Sequence, residues 1–113
     1  MSEDLAQKTC TPCQGGIPPM SETQAKAFLD EAPGWRLEEN GTWLKRDFTF
    51  KTFKEALAFI NKVGELAEAE GHHPDLTLGY GYAGVAMQTH KIKGLHENDF
   101  IMAAKIGRIA EQG

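Results

Sequence analysis

Two adjacent imidazoles locked by a proline are the first feature of this chain that suggests chemistry. His72-His73-Pro74 follows directly on a run that reads as the end of a helix. Pro74 restricts His73 to extended backbone, because the proline ring clashes with a helical predecessor. The turn is therefore stiff, and stiff turns on rigid scaffolds are where catalytic groups concentrate. A third histidine, His90, closes an alternating stretch and is preceded by Thr89. Imidazole titrates near neutrality, so a constrained set of three could form an active site as readily as a set of packing groups.

Two carboxylates stand out beside them. Glu68 lies one turn before His72, at a helix end where the dipole favours cations, so an acid there is unexpected. Asp99 falls in the first turn of the last helix, where an acid is stabilised. Either could orient an imidazole and hold its charged form. On the residues alone each histidine could equally be a packing or capping group, and Asp99 a helix-start stabiliser.

The elements that must position these groups are legible from spacing. Residues 1–20 read as a flexible arm, punctuated by Gly15-Gly16 and Pro18-Pro19, ahead of a single domain over 21–113. Ser21-x-x-Gln24 and Thr52-x-x-Glu55 are capping boxes that open two helices. Trp35 to Glu38 and Thr42 to Phe50 read as strands joined around Asn40-Gly41, a hairpin signal. The second helix carries Phe53, Ala56, Leu57, Ile60, Val63 and Ala67 at helical spacing and ends at Gly71. Leu76, Leu78, Tyr80 and Tyr82 alternate as one strand, with a reversal over Gly81 to Gly84. Val85 and Met87 then point into the core along the last strand, so that His90, at its end, points away. A third helix runs from about Glu97 to Glu111. Paired strands between helices predict an α+β fold, an antiparallel sheet with its helices on one face.

The whole chain narrows the function classes. Its 113 residues suit one domain. The net charge is −4 with no basic block, which disfavours nucleic acid as a partner. No stretch has the length and apolarity of a transmembrane helix, and the start lacks an apolar signal core, so a cytoplasmic protein is expected. Cys10 and Cys13 form one C-x-x-C followed by Gly and Pro; no second ligand pair accompanies them, so neither a zinc site nor a thioredoxin-like motif is expected.

With Glu68, His72-His73-Pro74, Tyr80 or Tyr82, Thr89-His90, Gly94-Leu95 and Asp99 in this order, the chain resembles the pterin-4a-carbinolamine dehydratases over about residues 21–112. The resemblance implies a four-stranded antiparallel sheet with three helices, assembled as a homodimer or homotetramer. It implies a hydro-lyase that dehydrates 4a-hydroxytetrahydropterin to quinonoid dihydropterin with no cofactor, recycling the cofactor of an aromatic amino-acid hydroxylase. The family's catalytic positions fall on His72, His73, His90 and Asp99, and its substrate-binding positions on Glu68, Pro74 and Thr89. Four positions depart from the pattern: Leu76 replaces an aromatic, His96 a Ser or Thr, and Lys91-Ile92 an acid and a Cys. A rival reading is a non-catalytic pterin-binding or dimerisation module, since the family also includes coactivators of a transcription factor. A metal site using Cys10 and Cys13 with the histidine pair, or a role near molybdopterin metabolism, are further alternatives.

Overall fold

The computed structural model describes residues 18–112. The order is α1 (Glu22–Leu29), β1 (Arg36–Glu38), β2 (Trp43–Thr49), α2 (Phe53–Glu70), β3 (Asp75–Gly79), β4 (Tyr82–Met87), a 3-10 turn (His90–Ile92) and α3 (Glu97–Gln112). The four strands form one antiparallel sheet in the order β1-β2-β4-β3. The expected α+β architecture is therefore present.

Local chemistry explains the boundaries. Ser21 accepts from the Gln24 N–H at 3.1 Å and donates its own N–H to the Gln24 side chain at 2.9 Å, a complete capping box. Thr52 accepts from the Glu55 N–H at 3.1 Å to start α2. Gly71 ends α2 in the left-handed region at φ 68°, and both it and His72 donate to the Ala67 carbonyl.

Alternation decides which side chains face the helices. Leu44 and Phe48 on β2 and Ala83, Val85 and Met87 on β4 are buried on one face. They meet Phe59, Val63 and Ala67 from α2 and Phe100, Ile101 and Ile106 from α3. The opposite face is polar. There Arg36, first, and then Lys45 bind Glu38 across β1 and β2 and hold its carboxyl below the usual carboxylate range.

Three local details differ from the sequence reading. The β1–β2 connection spans Glu39 to Thr42, with Glu39, Asn40 and Gly41 all at positive φ, so it is longer than a two-residue turn. The β3–β4 turn falls at Tyr80-Gly81, with Gly81 at φ 82°, and Tyr82 belongs to β4. Leu76 and Leu78 pair with Val85 and Ala83 and share their face, whereas Tyr82 lies on the other, its ring folded against Gly79. Finally, β4 stops at Met87, because Thr89 pairs with Gly94 and the chain coils between them.

Of the expected arm, Pro18 to Met20 fall among the described residues. Met20 donates its N–H to the Leu95 carbonyl at 2.9 Å, and Pro19 lies against Gly94. Cys10 and Cys13 lie outside the described residues.

One stability prediction arises here. Gly64 sits within α2, and a Cβ added there would meet nothing within 4 Å. Glycine inside a helix costs about 0.5–1 kcal/mol relative to alanine. Gly64→Ala is expected to raise the thermal midpoint by a few degrees in a melting scan.

Candidate active site

The turn after α2 sends its two imidazoles to different environments. His72 is buried, and its Nε2 lies 2.7 Å from Asp99 Oδ1. An ionised carboxylate only accepts, so the His72 Nε2 carries the proton. His73 is exposed and its Nε2 bonds Glu68 Oε2, reaching back past the Gly71 turn. The sequence leaves open which acid orients which imidazole. The structure pairs Glu68 with His73 and Asp99 with His72.

Asp99 is fully buried in the first turn of α3 and is the junction of the site. Besides His72, it accepts the Thr89 hydroxyl at 2.8 Å and the His96 backbone N–H at 3.0 Å, both on Oδ2. Thr89 is buried too, and its backbone N–H donates to the Gly94 carbonyl at 2.9 Å. Three chain segments thus meet on one carboxylate: the turn after α2, the end of β4 and the start of α3. Among the described residues no buried side-chain polar atom lacks a hydrogen-bond partner. Such fully satisfied buried networks fix a single geometry.

His90 is not at a strand end, as the sequence suggested; it opens the 3-10 turn that follows Thr89. The coil arises because Ile92 turns inward to the core while Lys93 takes a left-handed conformation at φ 52°. His90 nevertheless stands on the outer side, exposed, with its ring edge-on to Trp43 at 5.8 Å between centroids. No direct bond joins His90 to His72 or His73 among the described residues. The link runs from His72 through Asp99 to Thr89, the neighbour of His90. Pro74 is half-buried and leads into β3.

One participant, Trp43, escaped the sequence reading, and a second, His96, entered it only as a departure at a cap position. Trp43 neighbours His90 through strand register, since Leu44 pairs with Met87 and Gln88 donates to the Thr42 carbonyl. His96 takes over the capping task of a Ser or Thr: its Nδ1 accepts the Asn98 N–H at 3.2 Å. The departure at this position gave the signal, but an imidazole cap is not among the usual ones.

A helix-covered antiparallel sheet, with His72 and His73 each paired to a carboxylate, defines the chain as an α+β domain. The chain belongs to the pterin 4 alpha carbinolamine dehydratase family, whose model matches residues 18–109. It is 58% identical over 108 residues to a protein of Methylococcus capsulatus, covering 96% of this chain and 95% of that one. It is 54% identical over 110 residues to one of Aromatoleum aromaticum, covering 97% and 98%. Both relatives carry the name "Putative pterin-4-alpha-carbinolamine dehydratase". Among solved structures, the transcriptional coactivator/pterin dehydratase of Brucella melitensis superposes with a TM-score of 0.76 at 30% identity, over 81% of this chain and 98% of that one. A pterin dehydratase-like protein described as a RuBisCO assembly factor in the alpha-carboxysome shares the fold, with a TM-score of 0.60 at 23% identity over 68% and 89%. By family, then, this chain is a dehydratase.

Proposed function

We propose that this chain dehydrates 4a-hydroxytetrahydropterin to quinonoid dihydropterin by histidine acid–base catalysis, and so recycles the cofactor of an aromatic amino-acid hydroxylase. The observation that carries the reading is the pairing of each imidazole of the stiff turn with its own carboxylate, with Asp99 tying that turn to the segment of His90. The reaction protonates the 4a-hydroxyl, which leaves as water, and removes the proton from N5 as the C4a–N5 double bond forms. One group donates a proton and another accepts one, so the step is redox-neutral.

His73 and His90 are exposed and serve as the acid–base pair. Glu68 orients His73. His72 has its Nε2 committed to Asp99 and supports the substrate from the side of the turn. Asp99 has no accessible surface, so it acts through His72 and Thr89 as a positioning residue. Pro74 holds the turn, and Thr89 anchors the strand end beside the pterin.

The exposed Phe53 and Leu57 on α2 and Leu76 on the edge strand β3 support assembly as a homodimer or homotetramer. No helix among the described residues is long and apolar enough to cross a membrane, which agrees with a cytoplasmic reading. A second reading, a non-catalytic pterin-binding or coactivator module, is favoured by the dual description of the Brucella relative.

Stopped-flow measurement of freshly formed 4a-carbinolamine distinguishes the two. Catalytic amounts of the protein are expected to accelerate dehydration well above the buffer rate. Pterin binding without acceleration would establish the module instead.

A further inference from the structure

Arg46 is the one inward charge on the helix-facing side of β2, placed between Leu44 and Phe48. Its guanidinium lies over the Phe48 ring at 4.5 Å and donates Nη1–H to the Pro33 carbonyl at 3.2 Å. A guanidinium has five N–H donors, and a cation drawn off the surface normally has an acid partner. Among the described residues no ion pair is formed by Arg46, and the carbonyl of Pro33 is its recorded acceptor.

That guanidinium reaches the floor of a groove of about 470 Å³ between the α1–β1 connection and α3. Two glycines keep the space open. A Cβ on Gly34 would stand 2.8 Å from Arg46 Cζ and push the guanidinium aside, and at a φ of +91° any other residue is strained. A Cβ on Gly107 would meet Nη1 at 3.7 Å, an ordinary contact. Packing therefore does not exclude a side chain at 107, although glycine inside a helix is costly. The volume falls in the range of small-molecule sites.

The lining specifies the occupant. Arg46 and Arg108 are balanced by Glu31 and Glu111, and Trp35 with Ala103 supplies apolar surface. A planar fork matches a carboxylate through two parallel hydrogen bonds. Two cations and two acids leave the lining without net charge, so a ligand that carries both signs matches it better than a simple anion or cation. None of the catalytic histidines lines this groove.

We propose that the Arg46 groove is a second, non-catalytic binding site for a zwitterionic α-amino acid, its carboxylate on Arg46 and its ammonium on Glu111. The inference does not depend on the dehydratase mechanism, because it uses none of those residues.

The test is calorimetric titration of the full-length protein with L-phenylalanine, 3-phenylpropionate and phenethylamine, with amide shifts followed by NMR. L-phenylalanine is expected to bind and to move the Gly34 and Gly107 amides. Each truncated probe, lacking one charge, is expected to bind at least about tenfold more weakly, the scale of a lost charge-assisted hydrogen bond. Gly107→Leu fills the groove with a better helix former, so it should stay folded, keep the dehydration rate, and lose at least about tenfold in affinity. Arg46→Lys keeps the charge without the fork and should weaken binding in the same direction. No binding of L-phenylalanine up to about 10 mM overturns the proposal. So do equal affinities for the three probes, unchanged binding in Gly107→Leu, or shifts confined to the 72–90 region.

Discussion

His73→Ala and His90→Ala are each expected to lower the dehydration rate by about 10²–10⁴-fold, the usual contribution of a positioned acid or base. Both side chains are exposed, so the loss should come without a loss of fold. The His73–Glu68 pair is a surface contact, 60% and 79% exposed, and such pairs contribute about 1 kcal/mol or less. His90 loses an edge-on contact with Trp43, again at the surface. The decrease should appear in kcat more than in KM, since proton transfer acts on the transition state. The double variant should fall little further than the worse single one if the two groups work on one step. Stopped-flow rates and a melting scan on the same preparations check both halves of the expectation. Wild-type rates in both single variants would sink the assignment.

Asp99→Ala should have the largest effect on stability. The carboxylate accepts from His72, Thr89 and the His96 backbone at 2.7, 2.8 and 3.0 Å, in a place with no solvent to replace it. Removing this acceptor leaves three donors without a partner, and a buried donor left unsatisfied costs about 1–3 kcal/mol. A domain of this size has about 5–15 kcal/mol in all, so the thermal midpoint should drop by about 10 °C or more. Asp99→Asn keeps one acceptor oxygen but turns an N–H₂ group toward one of the donors. It should fold, melt lower than wild type, and dehydrate slowly because His72 and the His90 turn lose their common anchor. Unchanged melting of Asp99→Ala would show that the network contributes little.

The ends of the long helix are legible from Thr52 and Gly71, and Ala56, Val63 and Ala67 are buried on its stripe as expected; Phe53 and Leu57, placed on the same stripe, are exposed, and Phe59, which it omits, is buried. The sheet was legible in kind but not in every boundary. Alternation of Leu76, Leu78, Tyr80 and Tyr82 continues unbroken across the turn, so spacing alone cannot reveal that Tyr82 has changed strand and face. The positive φ of Gly81 marks the place, whereas in sequence Gly79, Gly81 and Gly84 are equal candidates for the turn. His90 was misplaced for a related reason. Its alternation with Gln88 looks like strand, but Thr89 pairs with Gly94, only three residues before the chain enters α3 at Glu97. The pairing of acids with imidazoles depends on tertiary placement: Asp99 is 27 residues from His72. Trp43 carried no signal, because its relation to His90 exists only through the register of β2 against β4.

The junction at Asp99 also sets how activity relates to folding. Its partners lie 27, 10 and three residues away along the chain and come from three different segments. No fragment containing only one or two of those segments can assemble it, and local structure formed early, such as α2 alone, leaves it open. Loop closure over such separations is completed only when the sheet and α3 are in place together. The machinery is thus all-or-none with respect to the fold. In urea, loss of catalysis should track loss of helical circular dichroism at a common midpoint, rather than precede it as in enzymes whose sites sit on separately melting loops.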